Sequence, residues 1–278
     1  MVGVPVSSSS QPLADHPERP GVALVRATAT VHGTPEEVWW SVATGAGIGT
    51  WFVPASVEER IGGAVVTDHG PFGHSHGVVT ALDPPRRFAW EERGWGTDVP
   101  PWRTELLVDP RPEGGCVVRL TSGLTEDGDP YRAAVAATEE GWVGGLRNLR
   151  LARTHFPGQT AGGVFVTRSV RAGREEAWAA LLAALGVVGA TVGDEIAAAP
   201  GAPALAGVVE EVGPTSLLLR TTVPAPGLVE LSAHSWAATG LLVHAHLFGP
   251  AGGAVAQAER PRWDAWLHAR FPGARPTP

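Results

Sequence analysis

The sequence predicts an α+β protein made of two tandem copies of one domain, each a curved antiparallel sheet wrapped around a long C-terminal helix. Three observations carry that expectation. The chain repeats itself, each copy strings short strand-like runs between turn signals, and each copy closes on a helix followed by Phe-Pro-Gly, at Phe156 and again at Phe271.

The repeat is read by alignment of the chain on itself. "VRATATVHGTPEEVWWSVATGAG" from Val25 lines up with "VTRSVRAGREEAWAALLAALG" from Val166, so that Glu36-Glu37-Val38-Trp39 falls on Glu175-Glu176-Ala177-Trp178. "VVTALDPPRRFAW" from Val78 matches "VVEEVGPTSLLLR" from Val208. Residues 1–20 read as a disordered tail, 21–157 as the first domain, 158–162 as a linker and 163–273 as a second, shorter and degenerate copy.

Within the first copy, Ala23, Val25, Ala27, Ala29 and Val31 alternate with more polar neighbours, the period of a half-buried strand. Thr34-Pro35-Glu36-Glu37 then starts a helix, with Thr34 as N-cap, Pro35 at its first position and Glu37 closing a capping box. That helix is expected to stop in the glycines of "GAGIG". The runs "ASVEERI", "AVVTD", "GVVTAL", "RRFAWEE", "RTELLVD" and "CVVRLTS" follow at short spacing, as in an antiparallel meander. A closing helix spans about Thr138 to His155, with Trp142, Leu146, Leu149 and Ala152 on one apolar face.

This order, with "TPEEVWWSVAT", "WFVPASVEERIGG", "HGVVTALDPPRRFAWEE" and "EEGWVGGLRNLRLA", resembles the helix-grip fold of the START/Bet v 1-like (SRPBCC) superfamily. More narrowly, residues 22–156 resemble the bacterial relatives of the C-terminal domain of the Hsp90 ATPase activator Aha1. The second copy departs from that pattern by losing the Trp-Phe/Gly-Gly segment and by a shorter last helix, "RPRWDAWLHARF". The resemblance implies a fold with a ligand cavity; it does not fix an activity, because one fold hosts many functions.

Composition excludes several classes. A net charge of −7 argues against a general nucleic-acid binder. All 21 basic residues are arginine, so neither a lysine-containing phosphate loop nor lysine Schiff-base chemistry is available. The one cysteine, Cys116, lies in the strand pattern "GGCVVRL" and reads as a small core residue. No apolar run approaches the ~20 residues of a membrane span. Residues 1–20 lack the basic and apolar regions of a secretory signal, and the expected location is the cytoplasm. No cofactor is expected.

"GPFGHSHGVV" contains Gly73-His-Ser-His-Gly77, the letters of a nucleophile elbow, but an elbow needs a helix directly after the serine. Val78, Val79 and Thr80 predict a strand instead. Asp68, His69, His74 and His76 could offer a metal site, yet the Gly- and Pro-rich context reads as a hairpin link, and no metal site is assigned. "GAGIG" follows a helix, which counts against a dinucleotide loop. His244 and His246 alternate with apolar Leu241, Val243, Ala245 and Leu247, and so are expected on a solvated strand face.

Tryptophan gives the stronger hint. Seven of eleven lie in the first copy: Trp39, Trp40, Trp51, Trp90, Trp95, Trp102 and Trp142. Core packing alone absorbs several of them. Parity aligns Phe88 with Trp90, and Trp102 with Thr104 and Leu106, on faces directed toward the closing helix. That helix carries Gly144 and Gly145, each costing about 1 kcal/mol relative to alanine. The pair indicates either close contact with the sheet or space for a guest. The expected lining of a site for a small hydrophobic or aromatic ligand is therefore Trp51, Phe88, Trp90, Trp102, Thr104, Leu106, Trp142, Gly145, Leu146 and Leu149. Glu92, at a strand end, and Tyr131 are further polar candidates, whereas parity places Arg119 outside. Two alternatives stand beside this reading: a cyclase or dehydratase employing His76, and a chaperone-activator-like module with a protein partner.

Overall fold

The computed structural model describes residues 7–12, 23–93, 99–124, 135–136, 138–235 and 238–273; Trp95 and Tyr131 lie outside them. The chain divides between Gly158 and Gln159 into two compact units, with Gly70–Phe72 grouped with the second.

The first unit is an eight-stranded sheet. Strand β1 (Ser7–Pro12) falls in the stretch expected to be a disordered tail, and pairs antiparallel with β2 (Ala23–Val31). Its backbone groups complete the edge of β2, a pairing that needs no apolar pattern and so leaves none in the sequence. In β2 the alternation holds: Val25, Ala27, Ala29 and Val31 are buried.

Helix α1 (Pro35–Ala43) starts on the expected capping box: the Glu37 amide donates to Thr34 Oγ1 at 3.3 Å, and the Thr34 amide to Glu37 Oε2 at 3.0 Å. The glycines after it do more than break the helix. Thr44 ends α1 and its hydroxyl accepts from the Gly47 amide at 3.0 Å, opening a one-turn helix α2 (Gly45–Ile48).

The meander then runs β3 (Ala55–Val57), β4 (Ala64–Asp68), β5 (His74–Asp83), β6 (Arg87–Glu92), β7 (Trp102–Pro110) and β8 (Cys116–Leu124). The order across the sheet is β1-β2-β8-β7-β6-β5-β4-β3, antiparallel throughout. The first core strand thus closes against the last. Helix α3 (Glu139–His155) buries Trp142, Leu146, Leu149 and Ala152, the stripe read from the sequence.

The second unit repeats this topology with fewer strands. It comprises β9 (Ala161–Ser169), α4 (Arg174–Leu185), β10 (Glu195–Ala197), β11 (Ala206–Gly213), β12 (Ser216–Val223), β13 (Gly227–Ser235), β14 (Thr239–Phe248) and α5 (Gly252–Arg270). Its sheet order is β10-β11-β12-β13-β14-β9, so β9 closes against β14 as β2 does against β8. Strand β9 begins at Ala161, inside the stretch read as a linker. Val166, Leu181, Leu219, Leu231, Val243, Trp263 and Leu267 belong to its core.

Two expectations fail in this unit. The last helix is not shorter: α5 has 19 residues against 17 in α3. Pro261 lies inside it, and the helix extends from Gly252, ahead of the segment from Arg260 that was expected. Nor is the outer face of β14 solvated. Leu242, His246 and Phe248 are buried on the side opposite Leu241, Val243, Ala245 and Leu247, which are buried too, and His244 is half-buried.

Candidate ligand site in the first domain

Strand register builds the inner face of the first sheet row by row. Phe88 stands opposite Leu106, and Leu106 opposite Leu120; these form an apolar floor. In the next row Trp90, Thr104 and Ser122 lie side by side across β6, β7 and β8. Beyond them Gly77 pairs with Glu92, and Glu92 with Trp102. The same parity turns Ser75 and Thr67 inward, and both are buried.

Of the ten residues expected to line a site, Phe88, Trp90, Trp102, Thr104 and Leu106 lie on β6 and β7, Trp142, Gly145, Leu146 and Leu149 on α3, and Trp51 in the turn after α2. Trp51, Phe88, Trp90, Thr104, Leu106, Trp142, Gly145, Leu146 and Leu149 are buried, and Trp102 is half-buried. They do different things. Phe88, Leu106, Leu146 and Leu149 are packed inside the apolar cluster. Trp51 is fixed by its indole N–H, which donates to the Ser41 carbonyl at 2.9 Å, and its ring lies where a Gly145 Cβ would meet it at 3.2 Å. At Gly145, close approach of the Trp51 ring to the helix explains the missing side chain.

Trp142 also belongs to the apolar cluster, whereas Trp90, Trp102 and Thr104 form a polar strip with Glu92 and Ser122. Trp90 Nε1 donates to Glu92 Oε1 at 3.0 Å, Trp102 Nε1 donates to Ser122 Oγ at 2.8 Å, and Ser122 shares a further 2.8 Å hydrogen bond with the Thr104 hydroxyl. Glu92 is therefore buried, despite its place at a strand end. Buried hydroxyls and a carboxylate on an inner face are costly unless hydrogen-bonded, and each of these finds a partner.

Three residues of this neighbourhood were not anticipated as lining. Phe52 stacks on Trp142 with ring centroids 4.5 Å apart and planes 15° apart, and His69 meets Phe52 edge-on at 5.8 Å. Thr67 Oγ1 lies 3.0 Å from His69 Nε2. Burial holds the His69 imidazole below its ordinary pKa; the carboxylates of Glu92 and Asp68 oppose the shift, and His74 adds to it. The parity of Thr67 with Val65 and of Ser75 with Val79 was available in the sequence. Phe52 and His69 sit outside regular strands, where no period flags them.

The other candidates resolve from the same geometry. Ser75 is inside strand β5, paired antiparallel with Thr67 of β4, and the strand continues after it, so the strand-turn-helix of a nucleophile elbow is absent around it. His74 and His76 are exposed, on the opposite side of β5 from Ser75. Among the described residues no group of three or more His, Cys, Asp or Glu is placed to hold a metal ion. Arg119 is exposed and its Nε lies 2.7 Å from Asp109 Oδ2. The Cys116 thiol is buried, 3.7 Å from the Gly33 carbonyl, and burial pushes its pKa up, as befits a core thiol and not a nucleophile. Among the described residues no helix is long and apolar enough to cross a membrane.

Residues 32–152 match the family model "Activator of Hsp90 ATPase homolog 1-like protein". No curated protein matches the chain. Among solved structures, the di-domain ARO/CYC BexL from the BE-7585A biosynthetic pathway is 13% identical, with 91% of this chain and 99% of that chain covered at a TM-score of 0.43. DynU16, from the dynemicin biosynthetic locus, is 16% identical over 89% of this chain and 96% of its own, at 0.42. CalU16 from Micromonospora echinospora is 17% identical over 54% and 85%, at 0.41. With the profile match spanning α1 to most of α3 and the strand order repeated in the second unit, the chain is an α+β protein of two tandem antiparallel-sheet domains, the first of which is similar to the Activator of Hsp90 ATPase homolog 1-like family.

Proposed function

We propose that the first domain binds a small apolar or aromatic molecule between the inner face of its sheet and α3. The observation that carries this reading is the polar strip, Glu92, Thr104 and Ser122 with the indole N–H groups of Trp90 and Trp102, set into a face that is otherwise apolar. An apolar core gains nothing from such a strip, since the same volume filled by aliphatic side chains is as stable or more so. A ligand site, in contrast, joins broad aromatic walls to a few polar groups that fix orientation. Phe52 and Trp142 supply the wall beside the strip, and Trp102, the one member of the ten that is half-buried, stands where the face meets solvent.

Tryptophan quenching and native mass spectrometry against a panel of lipids and aromatic compounds test the reading. A member of the panel binds the full chain in the micromolar range or better, and Ser122→Val and Trp102→Leu each weaken it by about tenfold, the loss of one good polar or stacking contact. A panel without a binder, or variants that bind as the unmodified chain does, overturns it. A cyclase or dehydratase reaction employing His76 loses its residue, because that side chain is exposed on the far face of β5.

A further inference from the structure

Helix α5 carries a carboxylate where its packing calls for an apolar side chain. Its buried positions are Gly252, Ala256, Glu259, Trp263 and Leu267, recurring at spacings of four and three along one face. Glu259 is 3% exposed on that stripe. Its Oε1 accepts from Arg262 Nη1 at 2.5 Å, while Oε2 is buried with no hydrogen-bond partner. A buried carboxylate oxygen left without a donor is strongly unfavourable, and such a group persists where it serves a ligand.

Glu259 also lines an open cleft of about 480 Å³ in the second domain, whose walls include Val223, Pro224, Val255 and Ala258, with Arg262 also on its lining. Val223 is 41% exposed, an apolar side chain turned to solvent. The lining is thus aliphatic apart from one carboxylate and one guanidinium. A carboxylate only accepts hydrogen bonds, and it binds charged donors most strongly. Arg262 is the sole cation in reach among the lining residues, and its guanidinium is 66% exposed, so it can return to water when another donor takes the carboxylate.

We propose that this cleft binds small primary ammonium compounds with an aliphatic body, the ammonium group on Glu259 and the body against Val223, Pro224 and Val255. The site is independent of the one in the first domain, and it gives the degenerate copy a recognition role of its own. Arg262 acts as an internal competitor that occupies the carboxylate when the cleft is empty.

The test uses the full chain and n-hexylammonium, followed by isothermal titration and ligand-observed NMR, with 1-hexanol as the uncharged comparison. Hexylammonium is expected to bind saturably, and 1-hexanol at least tenfold more weakly. Glu259→Gln keeps the shape and lowers affinity for hexylammonium by tenfold or more. Arg262→Gln removes the competitor and raises affinity several-fold, an effect that a purely structural role for the ion pair does not produce. Ala258→Trp, at an exposed position on the cleft, abolishes binding by filling it, and keeps the test decisive should Glu259→Gln fail to fold. Absence of saturable hexylammonium binding, equal affinity for 1-hexanol, or affinity unchanged by Arg262→Gln and Ala258→Trp overturns the proposal.

Discussion

Arg153, near the end of α3, holds Glu37 in the first turn of α1, with Nη2 2.9 Å from Oε2. The same carboxylate oxygen accepts the Thr34 amide, and Arg153 Nε donates to the His32 carbonyl at 3.0 Å. The capping box read from Thr-Pro-Glu-Glu is therefore also the anchor for the closing helix, joining residues far apart in the chain. Arg153 is 6% exposed on its side chain and Glu37 56%. Arg153→Met leaves the His32 carbonyl without its donor and is expected to cost about 2–3 kcal/mol, whereas Glu37→Gln, with its charge largely solvated, costs under about 1 kcal/mol. Urea denaturation of the two variants and their double mutant measures both values and the coupling between the sites.

His69 gives the first domain a pH dependence of definite sign. Its pKa is lowered from 6.5, first by burial, so the folded chain binds fewer protons there than the unfolded chain. Stability rises with pH wherever the unfolded state holds more protons. The contribution of His69 is thus complete above about 6.5, declines as pH falls toward the lowered folded value, and is lost below it. Denaturation curves at several pH values between 7.5 and 5 should show a decline for the unmodified chain that is shallower for His69→Gln. Equal slopes for the two proteins assign the decline to other groups.

Much of the fold was legible because it follows from period and from caps. The alternation in β2, the capping box at Thr34 and the stripe Trp142-Leu146-Leu149-Ala152 each express one local rule, and each element stands where that rule put it. What escaped notice depends on the rest of the chain. Strand β1 carries no apolar period yet pairs with β2, α5 runs through Pro261 from Gly252, and His246 is buried on a face whose polarity suggested solvent. The site divides along the same line. Parity brought Trp90, Trp102 and Thr104 to one face, while Phe52 and His69 join them only through the path of the loops.

Ser75 provides a direct check on the strand assignment. A serine in an elbow is activated and exposed on a strained turn, and a fluorophosphonate reacts with it quickly. Ser75 is 8% exposed in an antiparallel ladder, opposite Thr67. Treatment of the folded chain with a fluorophosphonate, followed by peptide mass spectrometry, is expected to leave Ser75 unlabelled. His74→Ala and His76→Ala, at exposed positions of the same strand, should each change stability by no more than about 0.5 kcal/mol.

Two glycines of α3 should answer alanine in opposite directions. Both gain about 1 kcal/mol of helix propensity from the substitution. At Gly141 an added Cβ meets nothing within 4 Å, so Gly141→Ala should realise most of that gain. At Gly145 the Cβ falls 3.2 Å from one Trp51 ring carbon and 3.3 Å from another. The indole has little freedom to yield, because it is 1% exposed and its N–H is tied to the Ser41 carbonyl at 2.9 Å. Overpacking of a fixed core side chain costs about 1–3 kcal/mol, which exceeds the propensity gain. Gly145→Ala is thus expected to destabilise the domain by roughly 1 kcal/mol and to shift the tryptophan emission, with Gly141→Ala as the control that isolates propensity from packing. A Gly145→Ala chain as stable as Gly141→Ala would mean that Trp51 can move, and that its ring is not a fixed contact of the closing helix.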